Sequence, residues 1–168
     1  MNTENTQAFD NGGRILGSVD SMSYLPGYGR LSRLLQRWRR RHHTGIADQW
    51  VSFGARAFDI GLAFTKNDRA YFRHGRISYY TESVFGVMQE LNLRSAIVRL
   101  TYEGPDCPEF NKKWHDRFHK MCRMLEQIYP NILFCGGCDR MGNRLYTFNG
   151  DGLSDPSLID WNLKTSRF

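Results

Sequence analysis

Apolar and polar positions alternate along residues 55–64, the pattern of a β-strand with one buried face. The large apolar side chains fall on one side of this strand: Phe58, Ile60, Leu62 and Phe64. The other side carries a carboxylate and a glycine, Asp59 and Gly61. A second short strand, predicted over residues 70–73, leads directly to His74. Acidic and imidazole groups near strand ends are typical of active sites on barrel folds, so this stretch indicates a candidate site.

Strand and helix patterns alternate along the rest of the chain. Further strands are predicted over residues 14–19, 96–102, 132–135, 144–148 and 158–163. Helices are predicted over residues 31–43, 46–53, 81–91 and 108–129. The last of these helices is the clearest, because its apolar residues recur at helical spacing. Alternation of strands and helices predicts a mostly parallel sheet.

Composition indicates one folded domain. The chain has 168 residues, of which 40% are hydrophobic and 14% aromatic, enough for a hydrophobic core. We predict a flexible lead-in over residues 1–13 and a single α/β domain over residues 14–168. The sequence has no signal-peptide core and no apolar run long enough to span a membrane. The expected location is therefore cytoplasmic, host-intracellular or virion-associated.

Three motifs carry the candidate chemistry: Gly17-Ser18-Val19-Asp20-Ser21, residues 54–61 (GARAFDIG), and His74-Gly75 after a short hairpin. They resemble the X-region of bacterial phosphatidylinositol-specific phospholipase C, with its Gly-Thr-His-Asp-Ser and Gly-Ala-Arg-x-Phe-Asp-Ile-Arg motifs. The resemblance covers roughly residues 14–103. It implies a β/α barrel, but a complete eight-stranded barrel usually needs about 200 residues or more. We therefore predict an α/β fold that is a trimmed or incomplete TIM-type barrel with mostly parallel strands.

The chain departs from this family where the family's chemistry takes place. The resemblance implies two catalytic histidines. One would stand at the position of Val19 and take a proton, and the other, at the position of His74, would give a proton to the leaving group. Val19 has no titratable group. Gly61 stands where the family has a phosphate-binding arginine or a calcium-ligand aspartate, and Thr101 replaces a further charged residue. A missing general base alone typically slows a reaction by about 10²–10⁴-fold.

The first functional hypothesis is therefore a catalytically degenerate relative that binds a phosphate-bearing ligand, a membrane or a protein. The alternative is an active phosphodiesterase on a phosphoinositide-like substrate, with His74 as general acid and Asp20 and Asp59 as supporting catalytic groups. Four nearby residues are candidate substrate-binding groups: Arg73, Arg76, Arg99 and Glu103. Asp59 has a second predicted role, as the partner of Arg56 or Arg99 in a buried ion pair.

A basic segment precedes the second motif. It contains six arginines, namely Arg30, Arg33, Arg37, Arg39, Arg40 and Arg41, in a chain with a formal net charge of +6. Leu31, Leu34, Leu35 and Trp38 recur at the spacing of one helical face. One interpretation is a core-packed helix with a solvated basic face. A second is an anion- or membrane-contacting surface that includes Arg33, Arg37, Trp38, Arg40 and Arg41. Contact with nucleic-acid phosphates is the third and least favoured interpretation.

Cysteine and histidine residues suggest a different chemistry. Cys135 and Cys138 form a CxxC motif, and His115 and His119 are one helical turn apart. Together they predict a zinc site as a further alternative, because paired thiolates and imidazoles suit tetrahedral Zn²⁺. A redox-active CxxC motif is another alternative function. No standard zinc-finger spacing accounts for the set, so we expect no cofactor, with calcium or zinc as the alternatives. The expected partners are a phosphate-bearing ligand or an anionic membrane surface, or else a protein partner or a second copy of the chain.

Overall fold

The computed structural model describes residues 14–39, 42–79, 82–104, 111–154 and 158–163. The predicted lead-in over residues 1–13 lies outside these residues, as do Arg40 and Arg41. The strands are β1 (Ile15–Ser18), β2 (Ala57–Phe64), β3 (Ala70–His74), β4 (Ile77–Tyr79), β5 (Ile97–Tyr102), β6 (Leu133–Asp139) and β7 (Ile159–Leu163). The helices are α1 (Gly29–Arg39), α2 (Ile46–Val51), α3 (Val84–Leu93) and α4 (Asn111–Ile128), with a 3₁₀ turn at Asp151–Ser154.

All seven strands belong to one mixed sheet organised around β2. One edge of β2 pairs along its length with the parallel strand β5, which in turn pairs with β6. The other edge is shared, because parallel β1 pairs with its first half and antiparallel β3 with its second half. Strand β7 lies beyond β1, and β4 lies beyond β3.

The prediction of a trimmed TIM-type barrel is wrong. The sheet is a curled half-barrel in which β3 and β4 form an antiparallel hairpin, and the described residues contain only four α-helices. A TIM barrel needs a helical crossover after each strand. Here the segment after β2 returns directly as β3 through a short turn at residues 65–69, so no helix separates these two strands.

Alternation along β2 divides the core into two clusters. Phe58, Ile60, Leu62 and Phe64 are buried in the larger cluster, against residues of α3 and α4. Ala57, on the opposite side of the strand, belongs to a smaller cluster with Ile97, Cys135 and Ile159. Because every second residue of a strand shares a face, Asp59 and Gly61 lie on the side of Ala57. No helix among the described residues is long and apolar enough to cross a bilayer.

Candidate functional site

Charged side chains at the ends of three strands lie close together. Asp20 follows β1, His74 ends β3 and Glu103 follows β5. Nδ1 of His74 lies 3.9 Å from Oδ1 of Asp20 and 3.9 Å from Oε1 of Glu103. Both carboxylates are buried, whereas the imidazole is 40% exposed. The carboxylates therefore hold the Nδ1 side of the ring inward and leave Nε2 on the other side.

Glu103 contacts its neighbours through both of its carboxylate oxygens. Besides its contact with His74, it accepts a hydrogen bond from the backbone N–H of Gly75 (2.9 Å). Its Oε2 also lies 3.4 Å from Nε of Arg140, a residue directly after β6. We call Asp20, His74, Glu103 and Arg140 the strand-end cluster. Sequence reasoning missed Arg140, although it shares with Asp20 and Glu103 the signal of a charged residue just beyond a strand.

Gly61 has no room for a side chain. A Cβ at this position would lie 2.1 Å from the carbonyl oxygen of Arg73 and 2.5 Å from Cγ of Glu103. Both distances are far inside van der Waals contact, and the first involves backbone that cannot easily move. The position where the resemblance expects an arginine is therefore filled by Glu103 from the neighbouring strand.

Asp59, predicted as a catalytic residue, is engaged elsewhere on the sheet. It lies beside Arg99 in the β2–β5 register, and its Oδ1 is 2.9 Å from Nε of Arg99. The guanidinium carbon of Arg99 also lies 4.0 Å from the ring centroid of Trp161 on β7. Arg99 thus joins β5 to β2 and β7 through an ion pair and a cation–π contact. This geometry matches the ion-pair role considered for Asp59 and gives Arg99 a structural partner.

The other two predicted substrate-binding arginines lie on the hairpin next to His74. Nε of Arg73 donates a hydrogen bond of 2.8 Å to the carbonyl oxygen of Gly75, which fixes the turn. Arg76 lies in the same turn and is exposed. Of these arginines and Arg140, all within the described residues, only Arg140 contacts a carboxylate of the strand-end cluster, that of Glu103.

A buried polar network positions the loop that carries Asp20. Asp20 itself has a left-handed backbone (φ 52°), a conformation that non-glycine residues adopt only when the surroundings impose it. The side-chain amide of Gln49 donates to the carbonyl oxygen of Ser21 (3.0 Å), and the Ser21 hydroxyl accepts from the N–H of Asp59 (2.9 Å). The loop is therefore tied both to β2 and to α2.

His42 lies near Val19 but does not replace the histidine that is missing there. Its Nε2 donates to the carbonyl oxygen of Val19 (2.9 Å) and lies 3.0 Å from Oγ of Ser18. His42 is fully buried, and its backbone N–H donates to Ser23 Oγ (2.9 Å). These contacts make His42 a structural support of the loop.

Tyr24 pairs with a carboxylate on another part of the chain. Burial beside Glu82 raises the pKa of Tyr24, whose hydroxyl donates to that carboxylate (2.9 Å).

Helix α1 presents its apolar stripe to solvent. Leu31, Leu34 and Trp38 are 63%, 54% and 85% exposed, whereas the polar residues Ser32 and Gln36 are each only 7% exposed. Three arginines, Arg30, Arg33 and Arg37, are exposed beside the stripe. The interpretation of this helix as packed on the core through its stripe is therefore wrong for three of the four stripe residues, and of the four only Leu35 contacts the core. We call the exposed leucines, tryptophan and arginines of this helix the α1 surface.

The side chain of Gln36 explains this orientation. Its carbonyl oxygen accepts from the N–H of Gly27 (2.8 Å), and its amide donates to the carbonyl oxygens of Ser23 (2.9 Å) and Leu25. Three backbone groups of the preceding loop are thereby satisfied by one buried residue. Polar contacts hold this helix against the loop, and three of its four large apolar residues remain exposed.

The structure does not bring the four proposed zinc ligands together. Cys135 is buried in the smaller cluster on one side of the sheet, whereas His115 and His119 belong to α4 and contact the rings of Tyr102 and Tyr146. Within the described residues, no three histidine, cysteine or acidic side chains are arranged to hold a metal ion. Cys122, Cys135 and Cys138 are free thiols, and Cys107 lies outside the described residues.

The solved structures that are similar to this chain include a bacterial enzyme. It is a phosphatidylinositol-specific phospholipase C from Listeria monocytogenes, with a TM-score of 0.47 and 18% sequence identity. The structural similarity is distant. It covers 73% of this chain and 50% of the enzyme, so the chain spans about half the length of that protein. No family model and no curated protein sequence matches.

Proposed function

We propose that this protein binds anionic membrane surfaces through the α1 surface. The observation that carries the proposal is the exposure of Leu31, Leu34 and Trp38 on a helix whose uncharged polar residues Ser32 and Gln36 are buried. Leaving a tryptophan and two leucines in water on one helical face is unfavourable unless another phase or molecule covers them.

Spacing and charge fit a lipid interface. Leu31, Leu34 and Trp38 follow at i, i+3 and i+7, so they form a single line along the helix. Arg30, Arg33 and Arg37 form a second line beside it, with the same spacing. A helix with arginines next to tryptophan and leucine is the pattern of interfacial membrane-binding helices. Each arginine near an anionic surface contributes about 1 kcal/mol, and the tryptophan ring suits the headgroup region.

Vesicle co-sedimentation tests this proposal. Wild-type protein is mixed at low salt with neutral phosphatidylcholine vesicles and with vesicles that also contain phosphatidylserine. We expect binding to the anionic vesicles that weakens as salt screens the charges. Replacing Arg33 and Arg37 by glutamine should weaken binding by about thirtyfold, the equivalent of two lost contributions of about 1 kcal/mol.

The apolar contribution has its own variant and a matched control. A triple variant, Leu31→Ser, Leu34→Ser and Trp38→Ser, should abolish binding while the protein remains folded, because these side chains are exposed and belong to neither core cluster. Leu93→Ser, at an equally exposed apolar residue of α3, should bind as the wild type does. Unchanged vesicle binding by the triple variant would overturn the proposal. Absence of vesicle binding, together with a wild-type dimer that the triple variant turns into monomer, would instead identify the surface as an interface between copies.

Phosphodiester cleavage at the strand-end cluster is a second candidate function. It is favoured by the orientation of His74, whose Nδ1 faces Asp20 and Glu103 while Nε2 remains on the open side of the ring. An imidazole oriented in this way suits the donation of a proton to a leaving oxygen. The chain supplies no equivalent base at Val19, and the buried His42 is tied to backbone.

Product formation tests the enzyme function. The protein is incubated with phosphatidylinositol vesicles and released phosphate esters are followed by phosphorus NMR. Turnover by the wild type that is lost in His74→Ala would establish the enzyme function. Turnover that survives in His74→Ala would exclude the strand-end cluster as its source.

A further inference from the structure

We infer that a groove along α4 is a docking site for an acidic amphipathic helix of a protein partner. The groove has a volume of about 720 Å³ and lies between α4 and the turn that joins β2 to β3. A smaller depression of about 290 Å³ continues it towards the start of α3, because the two share Asp68, Met121 and Met124. Phe64 lines the groove from the side of the larger core cluster, so the groove lies on the face of β2 opposite to Asp59.

The groove is formed before any partner binds, because the hairpin turn is fastened to α4. Asp68 in this turn forms an ion pair through Oδ2 with Nη2 of Arg117. Beside it, the ring of Phe64 stacks on the ring of Trp114, with centroids 6.4 Å apart. Both contacts join the same two elements of the chain. A preformed groove lowers the entropic cost of binding a partner.

The floor of the groove is apolar and adaptable. Met121 and Met124 lie one helical turn apart on α4, and Phe85 continues the apolar surface at the start of α3. Met124 and Phe85 are 36% and 39% exposed, so both offer area that a partner can bury. Methionine side chains are flexible and polarisable, and they accommodate apolar residues of different shapes at peptide-binding surfaces. The floor therefore suits the apolar face of a peptide.

The rim of the groove is basic. Three exposed lysines of α4 line it: Lys112, Lys113 and Lys120. Two acidic residues are found among the described residues of the larger groove, and one of them, Asp68, is already paired with Arg117. The other, Asp116, is exposed. The rim is thus complementary in charge to a partner that carries carboxylates beside its apolar face.

The length of the groove fits a short helix. Lys112 and Met124 mark its two ends on α4, and the helix between them rises by about 18 Å. A partner helix of about three turns has the same length. Amphipathic helices bind apolar grooves of this kind through side chains spaced at i, i+3, i+4 and i+7.

A titration with a designed peptide tests the inference. The probe is a helix of about twelve residues, stabilised by a side-chain lactam, with leucines along one face and glutamates elsewhere. Its control has lysine in place of each glutamate. Binding is followed through the methyl resonances of ¹³C-labelled methionines. The acidic peptide should shift Met121 and Met124 in a saturable way and leave Met141, an exposed methionine outside the groove, unchanged. The lysine peptide should not bind.

One pair of variants tests the floor of the groove. Met124→Glu places a carboxylate against the acidic peptide and should abolish binding. Met141→Glu makes the same change at a residue that is 77% exposed and lies outside the groove, so this variant should bind as the wild type does. Thermal melting checks that both variants are folded.

A second pair of variants tests the rim. Lys112→Gln combined with Lys120→Gln should weaken binding by about threefold to tenfold, as expected for the loss of two exposed ion pairs. Arg14→Gln combined with Arg123→Gln removes the same charge from exposed residues outside the groove and should leave binding unchanged.

Four results would overturn the inference: no saturable shift of Met121 and Met124, equal binding of the acidic and lysine peptides, equal loss of binding in Met124→Glu and Met141→Glu, or equal loss in the two double variants. Shifts of the two resonances that depend on protein concentration without peptide, and that Met124→Glu removes, would instead identify the groove as an interface between copies of the chain. Vesicle binding through the α1 surface is a separate property, so its presence or absence leaves these outcomes unchanged.

Discussion

Gly61 and Glu103 compete for the same space, since a Cβ on Gly61 would lie 2.5 Å from Cγ of Glu103. The carboxylate above Gly61 comes from the end of β5 and binds the hairpin turn through the N–H of Gly75. A larger residue at position 61 would displace this carboxylate and with it the contacts to His74 and Arg140. The strand-end cluster is thus a packed arrangement of its own, in which glycine is the residue that fits.

Gly61→Ala should lower the free energy of unfolding by about 1–3 kcal/mol, the usual cost of forcing an extra carbon into a packed site. Urea denaturation measures the change. Gly86→Ala is the matched control, because Gly86 lies on the exposed side of α3 and the nearest atom to its new Cβ is 3.7 Å away. That variant should be more stable by about 0.5–1 kcal/mol, as expected for alanine in a helix. Equal stabilities of the wild type and Gly61→Ala would show that Glu103 does not occupy this space.

Gln36→Ala should destabilise the protein by several kcal/mol, because each buried backbone group left without a partner costs about 1–3 kcal/mol. The groups affected are the N–H of Gly27 and the carbonyl oxygens of Ser23 and Leu25. Gln127→Ala, an exposed glutamine on α4, should change stability by about 0.5 kcal/mol or less. Thermal and urea unfolding provide the measurement. A Gln36→Ala variant as stable as the control would mean that α1 is held mainly by other contacts.

The contact between Asp59 and Arg99 should appear as an energetic coupling. A double-mutant cycle with Asp59→Asn and Arg99→Gln is expected to give about 0.5–2 kcal/mol, reduced from the value for a fully buried pair because Arg99 is 31% exposed. Additive effects on stability would show that the ion pair does not form.

The fold was predictable where a short-range pattern decides it. Alternation over residues 55–64 identified β2 and assigned Phe58 and Ile60 correctly to the larger cluster. The barrel prediction failed because no local pattern states which strand pairs with which. The chain turns back after Phe64 and pairs β3 with the second half of β2, so that β1 reaches only the first half. Strand pairing depends on contacts between distant residues.

The candidate site was predictable in part for the same reason. Asp20 and His74 were named from their motifs, and the structure places them 3.9 Å apart. Glu103 was expected to bind substrate, yet it forms the buried centre of the strand-end cluster. Arg140 follows a strand far along the chain, and no spacing in the sequence links it to His74. Only the parallel pairing of β5 with β6 brings Arg140 next to Glu103.

The sequence by itself determined that Leu31, Leu34 and Trp38 share one face of a helix with arginines beside it, because helical geometry fixes which residues lie together. It did not determine whether that face meets the core or the solvent. The tertiary structure decided this, since Gln36 and Ser32 on the opposite face satisfy or contact the backbone of the neighbouring loop and of β4. Burial of a helix face depends on what the rest of the chain places next to it, and here the chain places unsatisfied polar groups there.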